Sequence, residues 1–126
     1  MRLRFTIAAQ ADIVGILSDS EVSFGSAARK RYERLIKAAL RDISSDPLRL
    51  GSIPRPELGG EHGRSWHLKG SRERARGTDG IVRQPRHLII YKIEGADLVV
   101  IIRVLHDAME VRRHLPAIDD DWNALA

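Results

Sequence analysis

Two runs of β-branched and apolar residues, His87 to Ile93 and Leu98 to Leu105, flank the tetrapeptide Glu94-Gly95-Ala96-Asp97. Extended runs joined by a short glycine-containing segment read as a tight antiparallel hairpin. Successive side chains of a strand point to opposite faces, and here both sets are apolar. In the second run Val99, Ile101 and Leu105 form one set, and Leu98, Val100, Ile102 and Val104 form the other. Neither face suits water, so one must cover a core and the other requires a lid.

Upstream of the hairpin, Leu3, Phe5 and Ile7 alternate with Arg4 and Thr6, the pattern of a short half-buried strand. Ile13, Ile16 and Leu17 then stand at helical spacing, which predicts a helix from Ala8 to about Ser20. Gly25 and Ser26 open a longer helix that ends near Asp46-Pro47, because proline cannot continue a helix and disfavours it in the preceding residue. On that helix Ala28, Tyr32, Leu35, Ile36, Ala39 and Ile43 gather on one side, and Lys30, Arg34, Lys37 and Arg41 form an opposite stripe, read as a solvated face. Residues 47–63, with three prolines and four glycines, form a loop inside the domain. Arg64 to Lys69 alternates as a further strand with Trp66 and Leu68 on its apolar face, and residues 70–86 form a basic insertion loop expected to be mobile. After the hairpin, Asp107 caps a short helix in a box with Glu110, Pro116 closes it, and residues 117–126 form an acidic tail expected to fray. The resulting order, β-α-α-β-β-β-α, predicts a single α+β domain over residues 1–126: a helical hairpin packed on an antiparallel β-sheet, with a short C-terminal helix.

Composition narrows the setting. A chain of 126 residues with 43% hydrophobic content can bury one core. It has no cysteine, which excludes disulfides and thiolate chemistry and fits a reducing cytoplasm. No signal peptide is evident at the N-terminus, and the longest apolar run, Leu98 to Ile102, is too short to span a bilayer, so a soluble cytoplasmic protein without membrane contact is expected. The net charge of +4 is local: residues 64–86 hold seven arginines and lysines against Glu73 and Asp79. That concentration favours an acidic partner or a target bound to nucleic acid. Arginine outnumbers lysine 17 to 4, which base composition explains as readily as phosphate recognition.

Pro85-Arg86-His87, Leu88-Ile89-Ile90-Tyr91 and Arg103-Val104-Leu105-His106-Asp107-Ala108-Met109 together resemble the C-terminal half of ParE-type toxins, of the ParE/RelE superfamily of bacterial toxin–antitoxin modules. The likeness extends weakly through Ala11-Asp12-Ile13, Phe24-Gly25, Ala28, Tyr32 and Asp46-Pro47, and so covers most of the chain. The resemblance implies the same α+β fold and a toxin of a type II module. Such a toxin inhibits growth by binding DNA gyrase and trapping its cleaved-DNA state, and a cognate ParD-like antitoxin neutralises it in a hetero-oligomer. It implies no cofactor, no metal and no catalysis by the chain itself.

The residues allow that function and leave a rival open. The five histidines, at 62, 67, 87, 106 and 114, scatter without short paired spacing, which argues against a metal site. No phosphate loop, nucleophile elbow or carboxylate pair is present. Arg103 sits in the most apolar strand and must be satisfied, either by a structural bridge to a carboxylate or carbonyls or on a partner-facing surface beside His106. Trp66 and Tyr91 divide between core and partner anchoring. Residues expected to contact target or antitoxin are Arg64, Trp66, Arg72, Arg74, Arg76, Arg86, Tyr91, Arg103, His106 and Met109. No catalytic residue and no sequence-specific nucleic-acid binding are expected. The rival is a RelE-like, ribosome-dependent mRNA endoribonuclease, which needs a proton acceptor, a proton donor and a stabiliser for phosphate charge. RelE-like nucleases commonly use a C-terminal tyrosine, and none follows Asp107 here, although His106 with Arg64, Lys69 and Arg103 supplies a makeshift set.

Overall fold

The computed structural model describes residues 1–108. In chain order its elements are β1 (Arg2–Phe5), α1 (Ile7–Phe24), α2 (Ser26–Ser45), β2 (Ile53–Pro54), α3 (Pro56–Gly59), β3 (Gly63–His67), β4 (His87–Glu94) and β5 (Leu98–His106). Short 3-10 turns at Leu68–Ser71 and Glu73–Ala75 lie between β3 and β4. The predicted terminal helix from Met109 onward and the acidic tail lie outside the described residues.

The expected α+β architecture is present. The sheet runs β1-β5-β4-β3-β2, with α1 and α2 packed together and α1 against β5. The β1/β5 pair is parallel and the remaining pairs are antiparallel, so the sheet is mixed where the sequence suggested antiparallel strands. These two strands stand at opposite ends of the domain in sequence, so no turn dictates their relative direction. Nothing in the alternation pattern signals the two-residue β2. It tolerates Pro54 because it is an edge strand, which needs no N–H on its outer side.

α1 begins where Thr6 accepts the N–H of Ala9 at 2.9 Å. It runs four residues past the predicted Ser20 and stops at Gly25, whose φ of 93° turns the chain directly into α2. α2 buries Leu35, Ile36, Ala39 and Ile43 as its periodicity requires, together with Asp42, which the apolar pattern did not include. Arg34 departs from the solvated stripe. Its guanidinium donates to the Ala75 carbonyl at 2.8 Å and to Asp79 at 2.6 Å. The loop expected to be mobile is thus tied to α2, and Gly77 and Gly80 bridge each other within it.

Both faces of the hairpin are buried, as its composition demanded. On the helical side Ile89, Tyr91, Val99, Ile101 and Val104 join the α2 residues; on the other, Leu88, Ile90, Val100, Ile102 and Leu105 pack with Leu58 of α3. Each buried Leu or Ile contributes about 1.5–3 kcal/mol relative to exposure, so α3 is a working part of the lid despite its single turn. Strict alternation nevertheless assigns two residues to the wrong faces. The β4/β5 register shifts between Ile90 and Tyr91, where Tyr91 pairs with Ile101 but Ile90 pairs with Arg103. Ile102 is the extra residue of a β-bulge, and beyond it the parity inverts, sending Val104 to the helices and Leu105 to the opposite face.

α1 also exposes four large apolar side chains, Ile7, Val14, Val22 and Phe24, with Val22 and Phe24 on different sides of the helix.

Candidate functional site

The bulge has a second effect, at the far end of the hairpin. A plain hairpin would set His87 opposite Leu105; the extra residue sets it opposite His106. The two imidazoles meet edge to face with centroids 5.2 Å apart, and Tyr32 of α2 lies edge-on to His87 at 5.5 Å. The Tyr32 hydroxyl and His87 Nδ1 are 2.5 Å apart, and the same hydroxyl accepts the Arg86 N–H at 3.2 Å. Asp107 completes the cluster, receiving His67 Nε2 at 3.0 Å on one oxygen and the Arg86 guanidinium at 3.0 Å on the other. The sequence view of scattered histidines is therefore incomplete, because pairing of β3, β4 and β5 gathers three of the five at one end of the sheet. Among the described residues they still hold no group suited to a metal ion.

Hydrogen-bond partners assign the protons. Burial pushes the Tyr32 hydroxyl up to about 12, so it stays protonated and donates to His87 Nδ1. Burial first, and the neighbouring His106 second, push His87 down to about 4, so it is neutral and carries its proton on Nε2. His67 Nδ1 accepts the Lys69 N–H at 3.1 Å and His106 Nδ1 accepts the Ala108 N–H at 3.0 Å. In their neutral forms all three rings therefore have Nδ1 engaged and offer Nε2–H as a donor. The hydrogen bond from His67, aided by Arg86, holds the Asp107 carboxyl below its usual range.

His87, His106, Tyr32 and Arg86 line one end of an open groove of about 1280 Å³ between the α1–α2 tip and residues 76–87. Arg31, Arg76 and Arg83 stand around it with Phe24, Ile81 and Val82, and Asp19 and Asp79 are its acidic members. Of the sequence-nominated residues, the fold brings Arg76, Arg86 and His106 to this groove. Arg76 pairs with Glu73 at 3.0 Å.

The other nominated residues are placed elsewhere. Arg64 donates to the Ser52 hydroxyl at 2.7 Å, and the buried Tyr91 donates to the Pro47 carbonyl at 2.5 Å, so both fasten the 47–52 loop. Trp66 is buried, donates to the Ser71 hydroxyl at 2.9 Å and is covered by the Arg49 guanidinium at 5.3 Å. Arg74 pairs with Asp42 at 2.7 Å, and Arg72 donates to the Arg83 carbonyl at 2.8 Å. Arg103 forms the structural bridge considered for it, to Asp12 at 2.8 Å. Met109 lies outside the described residues. Tyr32, His87, Arg31 and Arg83 carry no site signal when the sequence is read residue by residue; the spacing of His87 and His106 across the hairpin is the one available clue.

The cluster should make stability pH-dependent. His87 has its folded value depressed, so its contribution is present above the unfolded value of 6.5 and is lost as pH falls toward about 4. Allowing for solvent screening of a half-buried group, the expected loss across that window is about 2 kcal/mol. Asp107 adds to the loss only at lower pH, because its unfolded carboxyl is protonated later. Urea titrations at both ends of the window check this, and a His87→Gln variant with the same pH dependence as the parent protein would refute the assignment.

Comparison with known proteins adds identity to geometry. A family model described as ParE toxin of type II toxin-antitoxin system, parDE, matches residues 3–111. No curated protein matches the chain.

Proposed function

The chain belongs to the ParE toxin family of type II toxin–antitoxin systems, and on that premise we propose that it arrests growth by binding DNA gyrase and holding it in its DNA-cleaved state. The damage then comes from the target enzyme, and the toxin acts by binding alone. A toxin of this family has a cognate antitoxin, which we take to be ParD-like. The exposed Ile7, Val14 and Val22 of α1 support a partner that brings apolar side chains of its own.

One observation carries the choice against an endoribonuclease. The cluster of His67, His87, His106, Tyr32 and Arg86 has the residue types of a nuclease site, which is what favours that second reading. Its proton positions oppose it. Cleavage through a ribose 2′-hydroxyl needs a free base, yet each Nδ1 already accepts a hydrogen bond, and Asp107 is committed to His67 and Arg86. Donors without a free acceptor stabilise negative charge but do not take up a proton.

Purified protein added to gyrase and supercoiled plasmid should make cleaved DNA accumulate, while ribosome-bound mRNA stays intact. His106→Gln keeps hydrogen-bonding capacity without proton shuttling and should lower growth inhibition by no more than about threefold, less than the roughly 10²-fold or greater loss typical when an acid/base group is removed. Loss of all activity in that variant with antitoxin binding preserved, together with cleaved mRNA ends from the parent protein, would establish the ribonuclease instead.

A further inference from the structure

We propose that the groove between the α1–α2 tip and residues 76–87 binds a single nucleic-acid strand, its arginines and imidazole N–H groups taking the phosphates and Phe24 stacking on a base. The inference goes beyond the gyrase reading and does not depend on which enzyme the toxin holds.

The first support is the sign of the lining. Nε2–H of His87 and of His106 are donors by the hydrogen bonds their Nδ1 atoms make. Arg31 and Arg83 also line the groove, and among the described residues neither guanidinium has a hydrogen-bonded carboxylate. Asp79, the acid near Arg31, is held by Arg34 at 2.6 Å. Arg76 and Arg86 are paired with Glu73 and Asp107, and Asp19 is the remaining acid. The charged and imidazole groups are thus mostly donors, beside Ser20, Ser23 and Gln84, which serve as donor or acceptor. A phosphodiester backbone offers acceptors alone, whereas a peptide backbone brings N–H groups that this surface has few acceptors to satisfy.

The second support is Phe24. At 79% exposure it is the most exposed aromatic among the described residues, and it stands on the groove rather than in the core. Basic groups beside an exposed aromatic ring form the recognition surface for single strands, where unstacked bases lie on the ring while the backbone follows the charge. In a duplex the bases are already stacked on one another, so the ring has nothing to receive.

The test is fluorescence anisotropy of the full chain with a labelled oligothymidylate long enough to fill the groove, measured over a salt series. Arg31→Ala/Arg83→Ala removes two phosphate-binding cations, and it should weaken binding about tenfold and flatten the log–log salt slope by about 1.4. Phe24→Ala should weaken it about fivefold or more without changing the slope. The control Arg4→Ala/Arg41→Ala removes equal charge outside the groove and should leave the slope unchanged. Oligouridylate should bind as the DNA strand does, because phosphate and base are what the groove reads, and a duplex of equal length should bind more weakly. The proposal is overturned if the groove and control variants behave alike, if Phe24→Ala binds normally, or if an acidic peptide of equal length binds more tightly than the oligonucleotide.

Discussion

Replacing Asp12 by alanine is expected to destabilise the domain by about 3 kcal/mol, the lower end of the range for removing one partner of a buried ion pair, because this pair is part-buried. β1 pairs with β5 only as far as Phe5↔Ile101, so among the described residues the edge of β5 beyond that point has no neighbouring strand. Side chains at the start of α1 take its place. The Thr6 hydroxyl donates to the Ile102 carbonyl at 2.6 Å, and Asp12 accepts the Val104 N–H at 2.9 Å while gripping the Arg103 guanidinium through both oxygens at 2.8 and 3.1 Å. The two charged side chains are only 16% and 15% exposed. Alanine there removes the two hydrogen bonds that Asp12 makes to Arg103 and leaves Val104 N–H without that acceptor, so the loss exceeds that of an ordinary surface pair. The midpoint of guanidinium unfolding measures it. Asp12→Ala/Arg103→Met should recover part of the stability, since the charge is then no longer buried. A single variant within about 0.5 kcal/mol of the parent, the usual range for surface substitutions, would show that the bridge contributes nothing.

Asp42→Ala is expected to cost about 3 kcal/mol and to loosen a different region. Asp42 is 7% exposed on the buried face of α2. Its carboxylate accepts the Ser71 hydroxyl at 2.6 Å and Arg74 Nε at 2.7 Å, and Arg49 Nη1 lies 3.4 Å away. Ser71 in turn receives the Trp66 indole N–H, so one carboxylate links α2, the 49–52 loop and the turn after β3. Without it, local opening of residues 69–76 becomes easier. Trypsin, which cuts after arginine, should then cleave at Arg72, Arg74 and Arg76 about tenfold faster, a larger factor than at Arg2 or Arg4. Unchanged cleavage would mean that packing alone holds the turn. Asp42→Asn separates charge from shape: it retains an acceptor for Ser71 and should recover a minority of the loss.

The hairpin, the two helices and the family were legible in the sequence because each rests on a local signal: an apolar run, a 3.6-residue period, a proline or glycine stop, or residues close together in the chain. Arg103 was legible as a problem, since a charge inside an apolar strand must be satisfied. Its solution was not, because Asp12 lies 91 residues away and no local pattern joins them. Asp42 was hidden for a related reason. An acidic residue between Ala39 and Ile43 reads as an interruption of an apolar face until Ser71 and Arg74 are folded against it. The candidate site depended on one residue of register. Counting back from the Glu94–Leu98 pair places His87 across from Leu105, and only the extra residue at Ile102 brings His106 there, against the ring of His87 that Tyr32 also meets. Short-range chemistry therefore determined which elements form and which residues must be buried. The tertiary structure decided which strands run parallel, which distant carboxylates answer Arg103 and Arg74 and which histidines share a site, because those outcomes depend on pairing and register between segments far apart in the chain.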